Sequence, residues 1–164
     1  MDYYFNQNNK NFSILLLLDL RNFDKFVLLY LIILKTALIV EDFRPIAEIW
    51  AKTLKGEQYE TNRIIDNTDS IDDEISLLNP DIILMDINLK GKRDGIETTT
   101  DLIKSNPFIK ILVLSMHGQP HMMERALQAG ARGYITKSSP ISELKLALKL
   151  IENGEIYICQ QMRK

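Results

Sequence analysis

Five polar residues stand directly after short apolar runs of the sequence. Glu41 and Asp42 follow TALIV, Asp86 follows DIILM, Ser115 follows KILVL, and Lys137 follows GYIT. Three carboxylates that lie within a few ångströms of one another repel, and they stay ionised together only where a cation neutralises them. Mg²⁺ prefers all-oxygen sites, in which it keeps several waters and takes only one or two carboxylates. If these side chains converge, the sequence predicts a magnesium site with a carboxylate oxygen left free to react.

From residue 36 onward, short β-branched apolar runs predict strands, and apolar residues that recur every three or four positions predict helices between them. The predicted strands span 36–40, 59–66, 81–85, 110–114 and 133–136, and the predicted helices span 45–56, 70–78, 96–105, 120–129 and 139–154. Pro45 and Gly56 suit the first turn and the end of the first helix. Trp50 falls on the apolar stripe of this helix, and we expect its side chain in the core.

Five strand-and-helix units within about 119 residues imply a mainly parallel α/β sheet with right-handed crossovers and helices on both faces. Five strands match the flavodoxin-like, doubly wound order 2-1-3-4-5 better than the six-stranded dinucleotide-binding order. In such sheets ligands bind at the carboxyl ends of the strands. Because the first and third strands are neighbours in this order, the three acidic residues should meet there, with the hydroxyl and the ammonium beside them.

The composition is that of a globular protein, with 46% hydrophobic and 26% charged residues in a chain of 164. This length allows one domain and leaves some residues over.

The formal net charge is −2, so the chain has no overall basic field for DNA or an anionic membrane. Cys159 is the only cysteine, which excludes an internal disulfide and a cysteine-rich zinc site. A lone thiol suits a reducing compartment, and we expect a cytoplasmic protein.

Residues 1–35 form an apolar amino-terminal extension that precedes the alternating pattern. Charged residues divide its apolar stretch into two runs, and the longer run, Phe26–Leu34, has nine residues. A membrane-spanning helix needs roughly 18 or more apolar residues in succession, so we expect no membrane span. Asp2 and the lack of a small-residue cleavage motif argue against a secretory signal. A poorly ordered extension, an added helix or strand, and membrane attachment are the alternatives left open.

Four motifs in this order resemble those of the receiver domain of two-component response regulators. They are LIVEDF, which contains the acidic pair, DIILMDINLKG, ILVLSMHG and AGARGYITKSS. Each motif includes the end of a predicted strand, and the resemblance covers about residues 36–154. It implies a flavodoxin-like receiver domain over 36–154, a function in phosphorelay signal transduction, and a histidine kinase or phosphotransfer protein as the partner.

The resemblance implies a role for each residue at the strand ends. Asp86 would accept the phosphoryl group, and Ser115 and Lys137 would grip it. Mg²⁺, or Mn²⁺ in its place, would be held by Glu41, Asp42, Asp86 and the main-chain carbonyl of Asn88. Such a domain phosphorylates and dephosphorylates itself in the presence of the metal and is not otherwise an enzyme.

These residue types account for the chemistry and for a switch. A carboxylate can attack phosphorus and form an acyl phosphate, and because both reactants are anionic, a divalent cation and Lys137 would neutralise charge. Tyr134 stands where the family has an aromatic switch, and we hypothesise that it turns inward when Ser115 moves toward the phosphoryl group. That motion would remodel the face formed by the fourth helix, fifth strand and fifth helix, and homodimerisation on phosphorylation is a further expectation. A half-buried strand aromatic is the structural alternative for Tyr134.

Two loops depart from the usual receiver pattern. Lys90 stands where many receivers have Pro, and with Lys92 and Arg93 it makes the loop LKGKRDGIE basic. This loop either alters which kinase docks or is simply solvated. Ser138 replaces a frequent Pro after Lys137, which makes a cis peptide bond there less secure, because a non-proline cis bond costs about 3 kcal/mol.

The stretch SELKLALKLIENGEIYI resembles the end of the receiver in transcription regulators of the LuxR/NarL type. In those proteins a linker leads to a helix-turn-helix domain. Residues 155–164 would be a stub of such a linker, and ten residues cannot form a DNA-reading helical module. We therefore expect no DNA contact from this chain alone, which is either a stand-alone receiver or a truncated transcription regulator.

Three other functions use the same type of sheet. A phosphatase of the haloacid-dehalogenase type would need a second acid two residues after Asp86, and Asn88 cannot act as a general acid. A flavodoxin would need a phosphate-binding loop after the first strand, where EDFRP carries two carboxylates that repel phosphate. A pseudo-receiver, which keeps the fold and acts only as a protein-interaction module, is disfavoured because every site residue is retained.

Overall fold

The structure, a computed structural model, describes residues 35–116 and 118–163. Its strands are β1 (Lys35–Val40), β2 (Tyr59–Ile65), β3 (Ile82–Asp86), β4 (Ile111–Ser115), β5 (Gly133–Thr136) and β6 (Tyr157–Ile158). Its helices are α1 (Arg44–Gly56), α2 (Ile71–Leu78), α3 (Gly95–Ser105), α4 (Pro120–Gln128) and α5 (Ile141–Glu152), and a 3₁₀ turn spans Gln160–Met162. Apart from Lys35, the predicted extension 1–35 lies outside the described residues. Among the helices of the two described ranges, none has the length and apolar character needed to cross a bilayer.

The strands form one sheet in the order β2-β1-β3-β4-β5-β6. The pairs β1–β3, β3–β4, β4–β5 and β5–β6 are parallel. The predicted doubly wound fold and its order 2-1-3-4-5 are therefore confirmed, but the predicted count of five strands is one short. The sixth strand has only two residues, which is too short to carry a periodic pattern in the sequence.

Main-chain hydrogen bonds hold β6 against β5. The amide of Tyr157 donates to the carbonyl of Arg132 at 3.0 Å, and the amide of Cys159 donates to the carbonyl of Tyr134 at 2.9 Å. A Cβ on Gly133 would lie 3.1 Å from the carbonyl oxygen of Tyr157, so the glycine allows the two strands to approach. The segment after α5, predicted to be a linker stub, thus lies along the edge of β5.

Side chains alternate between the two faces of the sheet and build a core on each. On one face, Ile39 belongs to a buried cluster with Trp50 of α1 and Leu148 of α5. On the other face, Leu38 belongs to a cluster with Ile96 of α3, and residues of α2 and α4 complete that layer. The central strands β3 and β4 are apolar up to their last residue because both of their faces are covered. Trp50 is buried, as the periodicity of α1 predicts.

The strand registers bring the carboxyl ends of the central strands to one edge of the sheet. Val40 at the end of β1 pairs with Met85 of β3, and Ser115 at the end of β4 pairs with Thr136 at the end of β5. Residues that follow these positions therefore begin their loops at the same edge. This is the edge at which ligands bind in open parallel sheets.

Helix α3 begins directly against the end of β3. Asp94 caps the helix by accepting hydrogen bonds from the amides of Ile96 and Glu97, and the Glu97 side chain accepts one from the Asp94 amide. This reciprocal capping box defines the first turn. Any Cβ on Gly95 would overlap the main-chain carbonyl oxygen of Asp86. The position therefore requires glycine because of the close approach of β3.

Gly95→Ala is expected to destabilise the fold by about 1–3 kcal/mol, because the added methyl group forces the start of α3 away from β3. Gly56→Ala is the matched control, since a Cβ at that helix end meets nothing within 4 Å. The control should leave the free energy of unfolding unchanged or raise it by up to about 1 kcal/mol. Urea unfolding followed by circular dichroism measures both values, and equal stability of the two variants would contradict the close contact.

Candidate functional site

Three acidic side chains meet at the edge where the strands end. Glu41 and Asp42 follow β1, and Asp86 is the last residue of β3. One carboxylate oxygen of each residue lies within 4.8 Å of the others. Glu41 and Asp86 are buried, whereas Asp42 is exposed. The structure therefore brings together the three carboxylates that the sequence predicts to converge.

The ammonium group of Lys137 bridges two of these carboxylates. Its Nζ lies 2.7 Å from Oε2 of Glu41 and 2.8 Å from Oδ2 of Asp86, and it donates to Oε1 of Glu41 at 2.9 Å. The side chain of Lys137 is only 5% exposed, so little water screens these ion pairs. The main-chain amide of Lys137 donates to the carbonyl of Ser115 at 2.7 Å, which continues the pairing of β4 with β5 past the strand ends.

Burial changes the ionisation of the Glu41 carboxylate. Burial raises the pKa of Glu41, the hydrogen bond from Lys137 opposes this rise, and the nearby charge of Asp86 adds to it. Its Oε1 also accepts a hydrogen bond from the amide of Phe43 at 3.1 Å. Its buried Oε2 has the ion-pair contact with the Lys137 ammonium and, among the described residues, no second partner. A buried oxygen with unused acceptor capacity beside two more carboxylates is suited to bind a metal ion.

The main chain after β3 orients the carboxylate of Asp86. The amide of Asn88 donates to Oδ1 of Asp86 at 3.2 Å, while Lys137 contacts Oδ2. Each oxygen of Asp86 therefore has a different partner. The role of the Asn88 carbonyl as a metal ligand stays a prediction, and the sequence pattern does not foresee the contact made by the Asn88 amide.

Ser115 and Tyr134 form a hydroxyl pair on adjacent strands. Ser115 is the buried last residue of β4, and Tyr134 in β5 is completely buried. Burial raises the pKa of Tyr134, and a hydrogen bond between its hydroxyl group and that of Ser115 opposes the rise. The side chain of Tyr134 is therefore fully buried rather than half-buried, and its ring already points inward. Its movement in response to Ser115 stays a prediction.

Hydroxyl groups also hold the loop that carries Lys137. Oγ1 of Thr136 lies 3.1 Å from Oγ of Ser138 and 3.0 Å from Oγ of Ser139. No peptide bond among the described residues is cis, so the bond between Lys137 and Ser138 is trans. With Ser138 in place of the frequent Pro, the chain thus has an ordinary trans peptide bond after Lys137.

Two side chains lie near the cluster although sequence reasoning does not assign them to it. The ring centroid of Trp50 is 5.7 Å from Nζ of Lys137, within the range of a cation–π contact. Lys90 is exposed in the loop after β3, and its Nζ lies 4.0 Å from Oδ2 of Asp42. Helical periodicity predicts that Trp50 is buried but not which residue it faces. The positive charge of the loop at Lys90 is visible in the sequence, but its distance to Asp42 is not.

Known sequences of one family match most of the described part of the chain. The family model of the response regulator receiver domain matches residues 37–149. Transcriptional regulatory protein DegU of Brevibacillus brevis is 44% identical over 80 residues, which are 49% of this chain and 34% of DegU. Response regulator GacA of Pseudomonas viridiflava is 38% identical over 85 residues, which are 52% of this chain and 39% of GacA. The chain therefore matches less than half the length of these curated relatives.

Solved structures resemble the fold over a larger share of the chain. A LuxR-family two-component response regulator from Aurantimonas sp. SI85-9A1 has a TM-score of 0.74 at 26% identity, covering 79% of this chain and 92% of that one. The isolated REC domain of RcsB from Salmonella enterica serovar Typhimurium has a TM-score of 0.73 at 18% identity, covering 79% and 96%. The likeness to RcsB shows the fold alone.

Tyr134→Phe and Ser115→Ala are expected to be energetically coupled, because each removes one side of the same hydroxyl pair. Each single variant should lose about 1 kcal/mol of stability, and the double variant should lose less than the sum by about 0.5–1.5 kcal/mol. Urea unfolding of the four proteins measures this cycle. Additive losses would mean that the Tyr134 hydroxyl is not bonded to Ser115 in solution.

Proposed function

This chain belongs to the response regulator receiver domain family, and on that premise we propose that it accepts a phosphoryl group on Asp86 from a histidine kinase or phosphotransfer protein. The observation that carries the proposal is the ammonium of Lys137, held between the carboxylates of Glu41 and Asp86 at the strand ends. A nucleophile, a cation and further oxygen ligands thereby share one pocket. Phosphoryl transfer depends mainly on positioning and charge neutralisation, and these groups can provide both.

The proposed reaction joins an oxygen of Asp86 to phosphorus. As this bond forms, the phosphorus–nitrogen bond of a phosphohistidine donor breaks, and the product is an acyl phosphate on Asp86. The contacts from Asn88 to Oδ1 and from Lys137 to Oδ2 support the proposal because they hold the carboxylate in one orientation. A nucleophile that is already oriented loses less entropy on reaching the transition state.

Glu41, Asp42 and Asp86 would hold Mg²⁺, with the main-chain carbonyl of Asn88 as a further ligand and Mn²⁺ as a substitute. The all-oxygen donor set and the spare acceptor capacity of Oε2 of Glu41 fit such an ion. When bound, the ion neutralises charge on the phosphoryl oxygens during transfer. Lys137 would exchange a carboxylate contact for a phosphoryl oxygen, and Ser115 would donate its hydroxyl to another.

Ser115 would report the phosphoryl group to the rest of the domain. Its hydroxyl is bonded to Tyr134, and a phosphoryl oxygen on Asp86 would offer an alternative partner. The exchange would reposition the loop after β4 and the face formed by α4, β5 and α5. The phosphoryl group shifts this equilibrium only by its different affinity for the two states. The altered face would then act on a partner, on a second copy of the chain, or on a transcriptional output.

The wider role is inferred from the relatives. DegU is called a transcriptional regulatory protein and GacA a response regulator, and the matched region is little more than a third of each. We propose that this chain supplies the receiver function in the control of transcription, whether it acts alone or as part of a longer regulator. A cytoplasmic location is part of the same proposal.

Acetyl phosphate with Mg²⁺ is expected to phosphorylate the wild-type chain and to leave Asp86→Asn unlabelled, because an amide does not replace the carboxylate nucleophile. Asp73→Asn is the matched control, since it neutralises an exposed acid in the first turn of α2 and should label like wild type. Phosphate-affinity electrophoresis separates the forms. Equal labelling of wild type and Asp86→Asn would refute the assigned nucleophile, and a folded wild type that is never labelled would favour a protein-interaction module.

Mg²⁺ is expected to change the emission of Trp50, the only tryptophan, because binding at the carboxylates alters the contacts of the Lys137 ammonium beside the ring. The change should saturate and should be reversed by a chelator. Asp42→Asn should shift the midpoint to roughly tenfold higher Mg²⁺, which corresponds to about 1.4 kcal/mol. A midpoint that is the same in wild type and in Asp42→Asn would argue against this carboxylate as a ligand.

A further inference from the structure

The loop between β3 and α3 is fastened to the loop between β2 and α2. Lys90 forms an isolated parallel bridge with Asn67, and Oγ1 of Thr68 donates to the carbonyl of Arg93 at 3.1 Å. Gly91 has a φ of +141°, and a Cβ there would lie 3.0 Å from Oγ1 of Thr68. The two loops therefore fit closely, and the backbone of Lys90 has a defined place beside the carboxylates.

From this place, the side chain of Lys90 extends to the exposed carboxylate of the site. Its Nζ lies 4.0 Å from Oδ2 of Asp42, and the side chain is 90% exposed. Lys137 contacts the other two acids, so each of the three carboxylates has an ammonium neighbour. Three carboxylates and two ammonium groups give the site one net negative charge, which attracts a divalent cation.

We propose that Lys90 lowers the affinity of this site for its divalent cation, because its ammonium pairs with Asp42 and repels the incoming charge. The inference rests on the proposed function, which assigns a metal ion to these carboxylates. A cation that binds Asp42 competes with the ammonium of Lys90 for this carboxylate and approaches that ammonium closely. Both effects weaken cation binding, and both disappear when residue 90 is neutral.

The exposure of the pair determines the size of the effect. Ion pairs between exposed side chains are weak, so removing the charge of Lys90 should tighten cation binding by about two- to fivefold. Salt screens charges in solvent over about 10 Å at 0.1 M ionic strength. The difference between lysine and a neutral residue should therefore shrink as the salt concentration rises. A lysine that only solvates the loop, or that only contacts a kinase, would leave cation affinity unchanged.

The inference is tested by Mg²⁺ titration of the full chain at low and high salt, by calorimetry and by the emission of Trp50. Lys90→Met keeps an unbranched apolar stem and removes the charge. Lys92→Met is the matched control, because Lys92 is exposed in the same loop and its side chain has no ion pair with any residue of the described ranges. Both variants change the net charge of the chain equally, and thermal melting verifies that both are folded.

Lys90→Met should lower the Mg²⁺ dissociation constant about two- to fivefold at low salt and by less at high salt. Lys92→Met should stay near the wild-type value. Equal constants for the two variants, or a Lys90→Met effect that does not depend on salt, would overturn the inference and leave the proposed function standing. A wild-type chain that binds no Mg²⁺ would overturn the proposed function as well.

Discussion

Mutual repulsion among carboxylates is the constraint that organises this end of the molecule. The parallel sheet places the ends of β1 and β3 side by side, so the backbones at Glu41 and Asp86 cannot separate without breaking the sheet. Lys137 compensates the repulsion from the end of β5, with its ammonium within 2.8 Å of both acids. Because the pocket is largely shielded from water, these interactions are stronger than those of surface ion pairs. Removing the ammonium would leave two buried carboxylates without compensation, which is costly.

Close backbone packing positions these charged groups. The carbonyl of Asp86 touches the first turn of α3 where Gly95 has no side chain, and the amide of Asn88 orients the carboxylate. The amide of Lys137 is bonded to the carbonyl of Ser115, so the ammonium starts from a strand end that is already paired. Since Coulomb energy changes with distance, a small shift of either strand alters the balance of the site. The electrostatic balance of the site therefore also depends on uncharged residues such as Gly95, which fix the distances between the charged groups.

Much of the fold and the convergence of the acids could be predicted from the sequence, because buried parallel strands are apolar runs that end at a polar residue. The residues of β5 agree with the predicted 133–136, and the order of the first five strands is confirmed. The strand β6 could not be predicted, since two residues carry no period and their pairing depends on the room at Gly133. The inward ring of Tyr134 depends on side-chain packing, and the contacts of Trp50 and Lys90 with the site depend on how α1 and a loop are placed.

In the proposed reaction, the formal charge of the pocket stays close to zero without the ion, with the ion, and with both the ion and the acyl phosphate. Three carboxylates against the ammonium groups of Lys90 and Lys137 leave one negative charge, and a divalent cation changes this to one positive charge. An acyl phosphate on Asp86 carries up to one more negative charge than the carboxylate it replaces, which brings the pocket to about neutral. Because a partly buried pocket tolerates uncompensated charge poorly, the ion and the phosphoryl group should favour each other's binding. If Lys137 were neutral, the phosphorylated pocket with its ion would carry a net negative charge, so the buried ammonium of Lys137 contributes to the stability of that state.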